Sequence, residues 1–133
     1  MQRLFGGLFL ALVCAGLYAQ TMTLRGTIPF AFRAGENMMP AGEYTISHSA
    51  GVLILHHEGG GPSVALLTLA ASRNNPEPDA HLEFRRYGER YFLSSLWTQA
   101  PRDGLAIPPS RTEKELARQT GQSESAGVVL HRQ

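Results

Sequence analysis

Two groups of side chains in this sequence could do chemistry. His48, His56 and His57 lie close together and offer imidazole nitrogens to a metal, while Arg85, Arg86 and Arg90 interleave with Tyr87, Tyr91 and Trp97. Guanidinium forks beside aromatic rings can hold carboxylates or stack on sugars. Spacing weakens the first idea. On a strand, His56 and His57 point to opposite faces. In a hairpin turning at Ala50-Gly51, His48 and His57 share a face but stand four residues apart on the ladder, about 13 Å at strand rise. Zinc ligands must converge to about 2 Å from one ion, so these read as surface or edge histidines and no metal site is expected. For the arginines, the plain alternative is a hairpin whose rings enter the core and whose cations are solvated or paired with Glu83 and Glu89 across strands. Arg85, Arg86, Arg90, Tyr91 and Trp97 nevertheless form the one candidate ligand or partner surface.

Other motifs give catalysis no support. A Gly-x-Ser-x-Gly elbow is missing, and His57-Glu58 runs into glycines where a zinc-protease helix would need a second histidine. Gly59-Gly60-Gly61 lacks the Lys-Ser/Thr of a phosphate loop and reads as a turn. Glu77 and Asp79 fall in a proline-bearing loop, where carboxylates are solvated rather than tuned as acid and base. No catalytic residue and no cofactor is assigned.

The elements that must position these residues are mostly strands. From Thr21 to Ser94 short apolar runs alternate with Gly, Pro, Asn and Asp. A first run, Met22 to Phe32, carries Pro29, which makes it an edge or bends it. Arg33 to Pro40 reads as a loop and Glu43 to Ser49 as a strand. With Ala50-Gly51 as a two-residue turn, Ser49 faces Val52, Ser47 faces Ile54 and Thr45 faces His56, leaving Tyr44, Ile46, Leu53 and Leu55 on the core side. Ser63 to Ala71 is apolar at both parities, as for a strand covered on both sides. His81 to Tyr87 and Arg90 to Trp97 form a hairpin around Gly88-Glu89 that puts Leu82, Phe84 and Arg86 with Tyr91, Leu93, Ser95 and Trp97, Arg86 near the rim. Residues 99–109 are a proline-bearing connector. Ser110-Arg111-Thr112-Glu113 is a capping box, with Glu113 reaching back to the serine amide. The helix should run to Gln119 and stop near Gly121, anchored by Leu116. Gln122 to Ala126 reads as a polar linker, and Val128 to Leu130 as a last strand.

The resulting fold class is mainly β: a small antiparallel β-sandwich or barrel of six to seven strands with one C-terminal helix. Its organisation is a signal peptide (1–19), a β-domain (20–98), a connector (99–109), a helix packed on the domain (110–121) and a tail (122–133). Arg3, the apolar run Leu4 to Leu17 and Ala19 make the export signal, with Ala15 an alternative cleavage point. The run is too short and too glycine-rich for a spanning helix, so no membrane span is expected after processing. Cys14, the only cysteine, lies inside it behind Val13, a poor context for lipid attachment. The remainder therefore has no thiol for a disulfide or a thiolate metal site. Without Arg3 it carries eleven basic and eleven acidic residues, and its cations are not gathered on one face, so no nucleic-acid partner is expected.

Ile28-Pro29-Phe30-Ala31-Phe32, Met39-Pro40-Ala41-Gly42-Glu43-Tyr44, the hairpin Phe84 to Trp97 and Ser110 to Ala117 occur together in this order. In these four motifs the chain resembles short exported proteins of unknown function found mainly in acidobacterial genomes. That resemblance implies export to the periplasm or beyond and a β-rich domain, and carries over no activity, cofactor or site residue. The reading is a non-enzymatic exported binding or structural module, a possible envelope component, with a solid core of Phe30, Phe32, Tyr44, Phe84, Leu93 and Trp97. A barrel carrying a small ligand in an apolar pocket is the alternative. An enzyme would need convergent polar residues in a cleft near Arg86 and Tyr91.

Overall fold

A computed structural model of the chain describes residues 22–73, 79–98 and 103–132. The export signal, most of the proline loop after Arg73 and the first residues of the connector lie outside them. In chain order the elements are β1 (Met22–Ile28), β2 (Phe32–Ala34), β3 (Asn37–Met39), β4 (Gly42–Ser49), β5 (Val52–His57), β6 (Ser63–Leu67), β7 (Leu69–Ser72), β8 (His81–Tyr87), β9 (Arg90–Trp97), β10 (Asp103–Ala106), α1 (Arg111–Thr120), β11 (Glu124–Val129) and β12 (His131–Arg132). The described residues are mainly β with a single C-terminal helix, as the sequence punctuation predicts. No helix among the described residues is long and apolar enough to cross a membrane.

One sheet has the order β12-β1-β4-β5-β6 and the other β11-β8-β9-β10-β7, with the small β2–β3 hairpin laid against β9. Three runs change sheets. Pro29, which has no amide to give a ladder, ends β1 in the first sheet, and Phe32 opens β2 in the second. Thr68 separates β6 from β7, and Leu130 separates β11 from β12. The chain thus crosses between the two sheets at both edges, and the sheets face each other across one core. Bending one run into two sheets is the main reason for twelve short strands instead of six or seven. Two others were hidden by composition: β3 in the expected loop Arg33 to Pro40, and β10 in the expected connector. The expected polar linker before Val128 is also strand, because β11 pairs with β8 from Glu124 onward. One pairing departs from the antiparallel rule, β2 running parallel to β9 with Arg33 opposite Phe92.

The β4–β5 hairpin has the expected register, from Ser49 opposite Val52 to Tyr44 opposite His57. Tyr44, Ile46, Leu53 and Leu55 are all buried. Ala50 and Gly51 both have positive φ, 51° and 79°, the pair that a type I′ turn requires. Glycine tolerates this freely; alanine strains its Cβ, at a cost of about 1 kcal/mol. Ala50→Gly should therefore raise the urea midpoint by the equivalent of roughly 0.5–1 kcal/mol, and an unchanged midpoint would reject the turn type.

Phe32, Tyr44, Phe84 and Leu93 fill the space between the sheets together with Ile28, Met39, Leu82 and Leu96. Burial pushes the Tyr44 phenol up to about 12, and its hydroxyl donates to the Pro40 carbonyl at 2.5 Å. Phe30 is only partly buried against this core. Trp97 is buried, 8% exposed, but on the opposite face from the one expected. Phe84 pairs with Leu93 but Glu83 pairs with Ser95, so Ser94 is an extra residue that switches the phase of β9. Leu96 turns inward with Leu82. Ser95 and Trp97 turn outward with His81 and Glu83, where the Arg73 guanidinium covers the indole at 3.7 Å. The run Ser63 to Ala71 is corrected too. Val64 and Leu66 are buried, but Leu67 and Leu69 stay 79% and 61% exposed, so only one side is covered.

The helix is capped as expected at its start: Ser110 Oγ accepts from the Glu113 amide at 3.2 Å. Gly121, at φ 75°, closes the other end. The box itself does not form, because the Glu113 side chain turns away from the cap into the protein. It is the helix's buried residue, 3% exposed, whereas Leu116, the expected anchor, is half-buried. A carboxylate therefore docks α1 on the second sheet.

Candidate functional site

The five residues singled out from the hairpin do not act together, because alternation and the Ser94 bulge distribute them over both faces. Arg85 points outward. Its Nε and one terminal nitrogen grip the two Glu113 oxygens at 2.5 and 3.1 Å, and another nitrogen donates to Ser94 Oγ at 3.1 Å. The Tyr87 hydroxyl completes this group, donating to Glu113 Oε2 at 3.0 Å. Burial and the bond to that carboxylate hold the Tyr87 phenol above its ordinary range. Trp97 belongs to a separate outer network. Its Nε1 donates to Ser95 Oγ at 2.9 Å, and Ser95 donates to Glu83 at 3.3 Å. Glu83 also accepts from Arg73 at 2.5 Å and meets His81 Nε2 at 3.2 Å. Burial alone would raise the Glu83 carboxyl; the Arg73 and His81 contacts outweigh it and hold the group below its usual range.

The structure does bring together Arg86, Arg90 and Tyr91 at the other end of the hairpin. Gly88, at φ 64°, turns the chain, and Arg90 and Tyr91 open β9 immediately after it. Tyr91 is held from two sides. Its ring stacks on Phe30, with centroids 3.8 Å apart and planes 14° from parallel, and Arg86 is its cross-strand neighbour, with the Tyr91 phenol helping to hold the guanidinium charged. Arg86 itself pairs with Glu124, its cross-strand neighbour on β11. Tyr91 is thus preorganised without being buried.

Beside it lies a cleft of about 290 Å³ between the β2–β3 hairpin and the β8–β9 turn. Phe32 and Tyr91 give it aromatic walls, Met38 an exposed thioether wall, and Arg33, Arg90 and Glu89 its charged groups. Register explains the gathering. With Arg33 opposite both Met38 on β3 and Phe92 on β9, Phe32 falls beside Tyr91 and Ala31 beside Arg90. Ala31 is too small to crowd that guanidinium. Among the described residues neither Arg33 nor Arg90 has a carboxylate within ion-pair distance. The cleft can therefore bind an anion beside an apolar surface.

Of these residues the sequence singled out Arg90 and Tyr91; Phe30, Phe32, Arg33, Met38 and Glu89 it did not group with them. The available signal was Pro29, which forces the following residues out of the first ladder and toward β9. Glu36, in the β2–β3 turn, was also missed. Its carboxylate accepts from Thr112 N at 3.3 Å and Thr112 Oγ1 at 2.8 Å, tying the hairpin to the start of α1. Those bonds hold its carboxyl below the ordinary value.

The histidines are dispersed. His57 accepts from the Gly61 amide on Nδ1 at 3.3 Å and lies 3.4 Å from the Ala41 carbonyl through Nε2. His56 meets Ser63 Oγ at 2.5 Å. His48 lines a second, smaller cavity of about 120 Å³ with Thr98, Gly104 and Leu105. Among the described residues, no group of three or more His, Cys, Asp or Glu side chains is placed to hold a metal. No family model, no curated protein and no solved structure matches the chain.

Proposed function

We infer that this protein is a small non-enzymatic binding module that works outside the cytoplasm, and that its working surface is the cleft beside Tyr91. Export is supported by the order of Arg3, the apolar run Leu4 to Leu17 and Ala19, followed by a cysteine-free remainder. The observation that carries the binding reading is how the arginines are used. Arg73, Arg85 and Arg86 are spent on Glu83, Glu113 and Glu124, whereas Arg33 and Arg90 flank an aromatic cleft with no ion pair. Two cations without a close ion pair, with Glu36 and Glu89 as their nearby carboxylates, beside apolar walls are what a site for a small number of oriented polar contacts needs. A carrier that encloses its ligand fits less well, since Tyr44, Phe32, Phe84 and their neighbours occupy the space between the sheets.

Native mass spectrometry of protein purified from its own host tests this. A retained adduct is expected on the wild type and should be lost from Tyr91→Ala; bare protein in both would reject the cleft as working surface. N-terminal sequencing of the same sample should begin at Gln20, and a chain still beginning at Met1 would reject export.

A further inference from the structure

Resting on that reading, we propose that the cleft takes a small aromatic carboxylate, its ring against Tyr91 and its carboxylate on the Arg90 and Arg33 guanidiniums. Size comes first. At about 290 Å³ the cleft lies at the small end of the range for ligand sites, enough for one or two fused rings with a head group and too little for a folded segment. Shape comes next. Phe30 already covers Tyr91 at 3.8 Å, nearly parallel, so a ring arriving from the cleft continues a stack in offset or edge contact. Met38 offers a polarisable sulfur, which favours aromatic neighbours.

Charge selects the head group. A guanidinium presents a planar fork that matches a carboxylate in two parallel hydrogen bonds. Arg90 stands exposed at the turn opposite Tyr87, and Arg33 reaches the same cleft from β2. Glu89 is the opposing element. Its carboxylate also lines the cleft and repels an anion, which limits affinity and predicts its own test: removing that charge should tighten binding.

The test is a heteronuclear NMR titration of the purified mature chain with 2-naphthoate, its neutral isostere 2-naphthamide, inorganic sulfate and the tripeptide Gly-Gly-Phe. Naphthoate should give saturable shifts in the Arg33 and Glu89–Phe92 amides. Naphthamide should bind about tenfold more weakly, the loss of one charge-assisted pair. Arg90→Gln should weaken naphthoate by a similar factor while leaving naphthamide unchanged, and Glu89→Gln should tighten naphthoate. Both substitutions lie at the exposed turn, so unchanged amide spectra elsewhere report an intact fold. Equal binding of naphthamide, saturation by sulfate alone, or tighter binding of the tripeptide than of naphthoate would each overturn the assignment. If naphthoate fails to saturate while the host-purified protein keeps an adduct that Tyr91→Ala loses, the ligand class is wrong and the cleft stands. Failure of both removes the cleft.

Discussion

Arg85→Ala should destabilise the protein by about 3–5 kcal/mol, the cost of leaving a buried carboxylate without its counter-charge. Glu113 is 3% exposed, so little water can take the place of the two guanidinium bonds it loses. The Tyr87 hydroxyl at 3.0 Å would remain its main donor. Because that carboxylate docks α1 on β8, the helix should loosen along with the pair. The reverse change differs in kind. An Arg85→Met, Glu113→Leu double variant removes both charges and restores apolar contact, and should lie within about 1 kcal/mol of wild type, as replaced buried pairs often do. Urea unfolding monitored by helix and tyrosine signals separates the two. If the single and double variants unfold at the same midpoint, the ion pair does not hold the helix.

Phe84→Ala should cost about 3–5 kcal/mol as well, through a different mechanism: lost transfer energy plus a cavity that the surroundings only partly close. Phe84 is fully buried and meets Phe30 edge-on at 4.9 Å and Phe32 at 5.3 Å. Those two rings follow Pro29 in the crossover from β1 to β2, so the cavity would open where the first run changes sheets. Phe30 also backs Tyr91, and the substitution should reduce ligand retention in the cleft besides lowering stability. Thermal melts and the adduct measurement test both parts; a melting temperature that hardly moves would mean that Phe84 faces solvent.

What could be read from the sequence was whatever depends on local alternation and turn chemistry. Ala50-Gly51 set the β4–β5 register, and with it the buried faces of Tyr44, Ile46, Leu53 and Leu55. Gly88-Glu89 set the next hairpin as far as Leu93. Beyond that point one extra residue, Ser94, reversed the parity, and no residue type announces such a bulge. Alternation alone therefore puts Trp97 between the sheets, whereas it is buried on the other face of β9, 8% exposed beneath Arg73 and outside the central cluster. The helix ends were legible because Ser110 and Gly121 act within a single turn. The role of Glu113 was not, since its partners Arg85 and Tyr87 are distant in sequence and a capping box is the local alternative. The candidate cleft was half legible for the same reason: Arg90 and Tyr91 stand in an obvious hairpin, whereas Arg33 and Met38 join them only through the short parallel contact between β2 and β9.

The crossing of the chain at the sheet edges has a bearing on how it folds. β12 completes the first sheet by pairing Leu24 with Arg132, while β11 completes the second, and Leu130 between them packs where any side chain at Gly26 would collide with it. Contacts of such long range carry a large loop-closure cost and slow folding. A growing chain can pair β1 with β4 and β8 with β9 as hairpins form, but one side of β1 and one side of β8 stay open until residues 124–132 emerge, so closure of both sheets waits for the last strands.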